Sequence, residues 1–514
     1  MAKRAVSAAV PTQRERPATA GGLVRRADTT LAEQLAARYA EHVRLGRIAP
    51  GARLPSVRDG AARHGVNPAT VVAAYDRLQA AGLVEARPHR GFFVRGVAAE
   101  PARRPPAPRS AGSVDGPVVV DTPRRQLPVS ATALIRAMFQ PPGARLMPGS
   151  GTLPSEWLDA PLLASALRKA TSPRRVAETA LQYGDPAGEP TLRDALSARL
   201  SAFGIAAAPS QIVTTVGATH ALDVVTRTLL SAGDHVLVDD PGWSVEFARL
   251  EALGMRLLPV PRLADGPDVA TMRRIVESLR PAERPRLYVT VSVLHNPTGG
   301  SLSPRIAHQV LQLAETHGFR IAEDDTYAHC APPHATRLSA LDGLARTVYL
   351  SGFSKILAPN FRVGFLAAAP ALVDRLIDTK LLTTLTTPST AELALAHCLE
   401  AGALRRHAER IGQRLADARV RTRRLAEAHA FRFLAEPAGL FAWVDAGVDT
   451  ERLAHALLDD WLLAPGALFH APRRPTTAMR VNVAAGSDAR FWKAAAAERR
   501  RLLAAAPSRP VTAG

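Results

Sequence analysis

The stretch Leu350–Phe365, LSGFSKILAPNFRVGF, sets Lys355 and Arg362 among serines, glycines and apolar residues. A cation in a segment that reads as interior needs compensation, because an unpaired charge is costly to remove from water. An amine is consumed if it condenses with an aldehyde, and a guanidinium is neutralised by an anion such as phosphate.

Four other segments end in the same manner. QIVTTVGATHALDVV reads as a strand, a glycine and a helix, which aims the backbone amides of Gly217, Ala218 and Thr219 at one point where an anion can sit. HVLVDDPGWSVEF is a strand followed by Trp243, an aromatic available for stacking. RLYVTVSVLHNPTGG reads as a strand ending in Asn296, and FRIAEDDTYAHC as a strand ending in Glu323, Asp324 and Asp325, with Tyr327 close behind. In open α/β sheets, ligands bind at this carboxyl rim. The inventory describes a ligand: an anion for Arg362 and the helix start, a flat ring for Trp243, a protonated ring nitrogen for Asp324, a ring hydroxyl for Asn296 and Tyr327, an aldehyde for Lys355. Pyridoxal phosphate has all of these. Taken singly, a lysine such as Lys355 is more often an ordinary surface residue, Asp324 could be a helix cap, and Trp243 is more often core than a stacking platform. Together those plainer readings lose force. His295, His329 and Cys330 read as packed neighbours.

The elements that position these groups need a large chain. The protein has 514 residues, 47% hydrophobic and 22% charged, enough for two or more domains. Cys330 and Cys398 make no disulfide framework, and no Cys/His spacing points to zinc, so we expect no metal and a reducing cytoplasmic setting. No apolar run is long enough to span a bilayer. Net charge is +19. Residues 1–130 hold 21 Lys/Arg and 10 Asp/Glu, hence +11 in about a quarter of the chain. That asymmetry points to a polyanion partner.

Residues 1–27 read as a basic, disordered arm and 28–96 as a small helical module. Residues 97–130, rich in Pro, Ala and Arg, read as a linker that could reach roughly 100 Å fully extended. Residues 131–500 alternate helices and short apolar strands, with a larger part at about 180–385 and a smaller at about 386–500. Residues 501–514 read as a tail. In the module, Leu31, Leu35, Tyr39 and Val43 make one helix face, Ser56 can cap a second helix ending at Gly65, and Asn67 with Pro68 opens a third. LVEARPHRGFFV then reads as two strands around a basic tip.

PGARLPSVRDGAARHGVNPATVVAAYDRLQAAGLVEARPHRGFFV resembles the GntR-type winged helix-turn-helix. The resemblance implies binding to double-stranded DNA, with Asn67, Ala69 and Thr70 near base edges. It also implies that Ser56, Arg53, Arg58 and Arg77 face the duplex and that His89 and Arg90 reach it from the wing. The family's wing commonly reads RPGSGTFV, and RPHRGFFV departs from it. QYGDPAGEPTLR, HNPTGG, EDDTY, SKILAPNFRVGF and MRVNVAAG resemble, in order and spacing, fold-type I pyridoxal-phosphate aminotransferases. This implies a three-layer α/β domain with a mostly parallel sheet and a smaller α+β domain. It implies that Ser354 joins the cofactor site, that Tyr183 reaches the phosphate of the neighbouring subunit of a homodimer, and that Arg480 clamps a substrate carboxylate. The family commonly has Ser or Thr three residues before the lysine, where this chain has Gly352. The fusion resembles MocR-type regulators, which implies transcription control with Lys355-bound pyridoxal phosphate sensing an amino-group effector or the vitamer itself. Two alternatives stand beside it: a working aminotransferase with a DNA-binding head, and a regulator whose pocket is only scaffold.

Overall fold

The computed structural model describes residues 29–44, 48, 51–87, 90–95, 147–400 and 402–505. These fall into two compact units, residues 29–95 and residues 147–505. The basic arm, the linker and His89 lie outside the described residues.

In the first unit, α1 (Leu31–Arg44), α2 (Val57–His64) and α3 (Pro68–Ala80) precede the antiparallel strands β1 (Val84–Arg87) and β2 (Gly91–Val94). Local chemistry sets the boundaries. Ser56 accepts a hydrogen bond from the Asp59 amide at the start of α2, and Gly65, at φ 63°, ends that helix in the left-handed region. The Asn67 side chain caps α3 through the Ala69 amide, and Pro68 occupies a position where no amide hydrogen is needed. Leu35, Tyr39, Val71, Tyr75 and Leu78 form the core with Val84 and Val94. The sequence shows only a helix-breaking loop at residues 51–54, but this stretch extends the hairpin. The Gly51 amide donates to the Val94 carbonyl, the Leu54 amide to Phe92 and the Val94 amide to Ala52. Such an edge arises from pairing with β2 and has no local signature.

The second unit is built on an eight-stranded sheet: β3 (Ile212–Thr215), β4 (His235–Asp240), β5 (Arg256–Leu263), β6 (Gly266–Pro267), β7 (Leu287–Thr290), β8 (Arg320–Asp324), β9 (Thr347–Gly352) and β10 (Gly364–Ala367). Their order is β3-β10-β9-β8-β7-β4-β5-β6. The run from β9 to β5 is parallel, whereas β10 is antiparallel to both neighbours. Successive residues alternate between two cores. Val236, Val238, Leu287, Val289 and Ala322 pack with α4 (Ala218–Leu229), α5 (Ser244–Ala252) and the helix Pro370–Thr384. Leu237, Tyr288 and Ile321 pack on the opposite face with the helices Val269–Ser278 and Pro304–His317. Burial on both faces explains why these strands read as unbroken apolar runs. β7 stops at Thr290, so Asn296 stands six residues beyond the strand rather than at its end.

A second sheet of β11 (Arg432–Phe433), β12 (Phe441–Asp445), β13 (Ala464–Pro465) and β14 (Ala478–Asn482), ordered β11-β12-β14-β13, makes the smaller part. The segment around Gly149 joins it: the Gly149 amide donates to the Leu462 carbonyl and the Asn482 amide to Pro148. The last helix runs Ala489–Ala504, so helix continues beyond the expected start of the tail at 501.

Candidate functional site

β3 ends at Thr215 and the chain turns at Gly217, with φ 78°. No side chain caps α4 at this turn, which leaves the amides of Ala218 and Thr219 to an anion. Arg362 crosses the turn, donating to the Val216 carbonyl at 3.0 Å and to the Ser354 hydroxyl at 3.1 Å. A Cβ on residue 217 would lie 2.5 Å from an Arg362 nitrogen and push the guanidinium aside, and the φ of 78° itself favours glycine. Arg362 itself has φ 53°, a strained conformation for a residue with a side chain. It precedes β10, and the antiparallel course of that strand places its start at the rim where β3 and β9 end.

Lys355 stands three residues after β9. Burial, then the Arg480 and Arg362 guanidiniums, push its amine down to about 8, while Asp324 opposes them. Asp324 closes β8. Burial raises its carboxyl group to about 6, against the Thr326 hydroxyl and amide that donate to Oδ1. Asp325 adds to that rise and Lys355 reduces it. The three consecutive acids divide by partner. Glu323 accepts the amides of Leu338 and Ser339, each at 2.7 Å. Asp325 forms a fully buried ion pair with Arg337 at 2.6 Å. Asp324 alone is left to face the lysine.

Arg480, on β14, donates to Asn296 Oδ1 at 2.9 Å and to the Gly149 carbonyl at 2.7 Å. Its guanidinium lies 4.4 Å from the Phe441 ring centre and 5.0 Å from that of Phe469. Its Nε is buried without a hydrogen-bond partner, and among the described residues no carboxylate pairs with it. Burial lowers it to about 10. A buried guanidinium held by neutral groups is a seat for an anion. Because Arg480 occupies the Asn296 oxygen, the Asn296 amide nitrogen is the end left for a ligand. Tyr327 is buried edge-on to Phe441 at 5.5 Å, and its phenol is pushed up by burial. Trp243 is half-buried at the start of α5.

Hydrogen bonds and mutual electrostatic influence thus gather Lys355, Asp324, Arg362, Ser354, Arg480, Asn296 and Tyr327. Tyr183 stands apart from them, 82% exposed. Sequence reasoning did not single out Gly149, Thr326, Phe441 or Phe469. Thr326 adjoins Asp324 and could have been found. Gly149 lies 331 residues from Arg480 and acts through a carbonyl, which carries no residue signature. It must be glycine, since a Cβ there would lie 2.4 Å from the Ala464 nitrogen.

The donor set fits a phosphorylated pyridine aldehyde: a glycine-dependent anion cradle, a largely buried amine with lowered proton affinity, a buried acid that acts on it, and an orphaned guanidinium nitrogen.

In the first unit, Arg53, Ser56, Arg58, Asn67, Ala69, Arg77 and Arg90 are exposed and Thr70 is half-buried. Several of these groups already have partners. The Ser56 and Asn67 oxygens cap α2 and α3, and Arg77 pairs with Glu33 of α1 at 2.7 Å. Arg53 lies against Gly91, at the start of β2.

Residues 149–497 match the family described as aminotransferase class I and II, and residues 31–94 match the gntR family of bacterial regulatory proteins. An HTH-type transcriptional regulator of Escherichia coli (strain K12), YdcR, is 28% identical over 473 residues, covering 88% of this chain and 94% of that regulator. The probable rhizopine catabolism regulatory protein MocR of Rhizobium meliloti is 29% identical over 360 residues, 68% of either chain. Among solved structures, the α-aminoadipate aminotransferase LysN of Thermus thermophilus, complexed with N-(5'-phosphopyridoxyl)-L-leucine, matches with TM-score 0.65 and 25% identity over 72% of this chain and 95% of that one. With a match that spans two thirds of its length, and with a gntR-family domain ahead of it as in the HTH-type regulators, the chain belongs to the class I and II aminotransferase family.

Proposed function

We propose that this protein is a DNA-binding transcription regulator whose aminotransferase-like unit holds pyridoxal phosphate on Lys355 and responds to a small ligand carrying an amino group. Members of the class I and II aminotransferase family depend on pyridoxal phosphate. That cofactor supplies an aldehyde for an amine and a ring that withdraws electrons. Arg362, Ser354 and the amides of Ala218 and Thr219 take the phosphate, whereas the Gly217 amide, expected to join them, is held by the Thr215 carbonyl. Trp243 stacks on the ring, Asp324 holds the ring-nitrogen proton, and Asn296 and Tyr327 meet the ring hydroxyl. Arg480 takes the ligand's carboxylate in a two-pronged contact. The lowered proton affinity of Lys355 keeps a fraction of its amine nucleophilic near neutral pH.

The head would enter the major groove with α3 and touch phosphates with Arg53, Arg58 and Arg90. We further propose a homodimer working in the cytoplasm, where the DNA is. Leu181, Tyr183, Leu382 and Leu385 are exposed apolar side chains, Leu382 at 90%. Their two segments adjoin, since a Cβ on Gly184 would lie 2.7 Å from the Ser389 hydroxyl. A partner subunit would cover them and receive Tyr183. Among the described residues no helix is long and apolar enough to cross a membrane.

One observation carries this reading: the Arg480 and Arg362 guanidiniums and the Asp324 carboxylate all act on the Lys355 amine, in a chain that also carries a gntR-family domain. The test is the visible absorption of purified protein after addition of pyridoxal phosphate. It should appear in the wild type and vanish in Lys355→Ala, and operator binding should change with an amino-acid panel in the wild type only. A colourless wild type that takes up no cofactor would leave the pocket as scaffold. A second reading, a working aminotransferase, is favoured by the presence of Arg480. Sustained keto-acid production over many turnovers would establish it, whereas a single half-reaction fits a sensor.

A further inference from the structure

Glu246 lies on the first turn of α5, three residues after Trp243. It is only 4% exposed, and among the described residues no donor is within hydrogen-bond reach of its carboxyl group. The charged groups that face it are Asp324, Asp239 and, from its own helix, Arg249. Asp239 is fully engaged. It accepts from Arg262 at 2.7 Å, the Tyr288 hydroxyl at 2.6 Å and the Thr290 hydroxyl at 2.8 Å, with His295 at 3.5 Å. Arg249 is bound to Asp223 at 2.8 Å. Asp324 has Thr326 as donor and Lys355 and Asp325 as charged neighbours.

Of these three carboxyl groups, Asp239 is paired with Arg262 and Asp324 faces Lys355, whereas Glu246 has only Arg249, which is bound to Asp223. A carboxylate with neither a donor nor a cation of its own does not persist beside other anions in a buried space. Asp324, which has donors, takes the charge. Glu246, which has none, keeps its proton.

We propose that Glu246 is a proton-holding carboxylic acid set behind Asp324, a positioning residue that fixes how much negative charge stands at the ring-nitrogen end of the pocket. The proposal rests on the reading of the pocket as a pyridoxal phosphate site. Burial, then Asp324 and Asp239, hold this carboxyl group well above the usual carboxylate range, with Arg249 opposing them. While Glu246 is neutral, Asp324 alone faces the ring nitrogen. When alkaline solution removes the proton, which leaves to water, a second anion arises there, and a ring nitrogen held by Asp324 would keep its proton more tightly. No other bond changes.

The experiment uses the full chain with Glu246→Gln, a neutral near-isostere, and Glu246→Asp. Without cofactor, melting temperatures are compared from about pH 5 to about pH 9. A folded-state proton affinity above the unfolded one contributes stability that is lost as pH rises, and glutamine cannot lose it. The glutamine variant should therefore gain on the wild type as pH rises. With pyridoxal phosphate bound, the visible spectrum of the wild type should show an alkaline transition that is retained but shifted in Glu246→Asp and missing in Glu246→Gln. A melting-temperature gap independent of pH, or an alkaline transition unchanged in Glu246→Gln, would overturn the proposal. If the wild type takes up no cofactor, the pocket reading falls, and the cofactor-free melting series still decides whether Glu246 holds its proton.

Discussion

The two units treat the cations of their candidate sites in opposite ways. In the first, Arg53, Arg58, Arg77 and Arg90 stand in solvent, and the one with a carboxylate partner, Arg77, shares that exposure with Glu33. In the second, Arg337 and Arg480 are buried and Lys355 is mostly so. Exposed cations are positioned loosely and act through long-range attraction that salt screens. Buried cations are held by surrounding packing, so each must have a chemical reason to be there. The head's function therefore rests on its overall charge and shape, and the pocket's on individual atoms.

This contrast is broken most forcefully at Arg337. Replacing it by methionine leaves the Asp325 carboxylate buried without its cation, next to the acid that faces Lys355. We expect a loss of about 3–5 kcal/mol, read by denaturant unfolding of the full chain. A loss no larger than that of a surface substitution would show that water reaches Asp325, and the contrast between the units would fail.

The next effect is at Lys355 and has the opposite sign. Its amine is pushed down to about 8 from a usual lysine value of 10.5. The unfolded chain binds this proton more tightly than the folded one, so the wild type is penalised at neutral pH and recovers as pH rises through that window. Without cofactor, Lys355→Met should be more stable at pH 7, by at most about 3 kcal/mol, and the advantage should fade above about pH 8. A melting-temperature difference that does not vary with pH would mean the amine is not held in the pocket as described. A binding site that is destabilising when vacant illustrates the exchange of stability for function.

The same contrast explains what could be read from the sequence. Helices of the head were legible because their caps are local: Ser56, Gly65, Asn67 and Pro68 each mark a boundary by their own chemistry. The edge at residues 51–54 was not, since only β2 makes it a strand. In the larger unit, β3, β4, β8 and β9 were legible as apolar runs that end in glycine or charge. The antiparallel β10 was not, because GFLAAAPALV fits a strand or a helix equally well. VTVSVLHNP alternates like a strand well past Thr290, where the chain in fact leaves the sheet. Which acid of Glu323, Asp324 and Asp325 faces the lysine depends on two distant partners, the amides at Leu338 and Ser339 and the Arg337 guanidinium. Glu246 escaped notice for a related reason: on an amphipathic helix it reads as a surface residue, and only the tertiary packing buries it.

A smaller effect belongs to Ser56. Its hydroxyl caps α2, and Ser56→Ala should destabilise the head by about 0.5–2 kcal/mol in thermal unfolding. DNA affinity measured well below that transition should change little if the cap is its principal role. A large loss of affinity with an unchanged melting temperature would assign the hydroxyl to DNA instead.

The smallest expected effect is the sharpest test of how exposed charges divide between the fold and DNA. Arg58 has no ion-pair partner among the described residues, whereas Arg77 lies 2.7 Å from Glu33 and bridges α3 to α1. Each phosphate contact by a cation releases counterions and steepens the dependence of affinity on salt. Arg58→Ala should lower that slope by about one. Arg77→Ala should leave the slope nearly unchanged, because Glu33 already neutralises the guanidinium, and the melting temperature of the head should fall within the scatter typical of surface pairs. Glu33→Gln adds a control from the other side: it frees Arg77, and the slope should then steepen. If Arg77→Ala instead lowers the slope as much as Arg58→Ala does, the pair must open on DNA, and α3 would present its guanidinium to the backbone at the expense of its tie to α1.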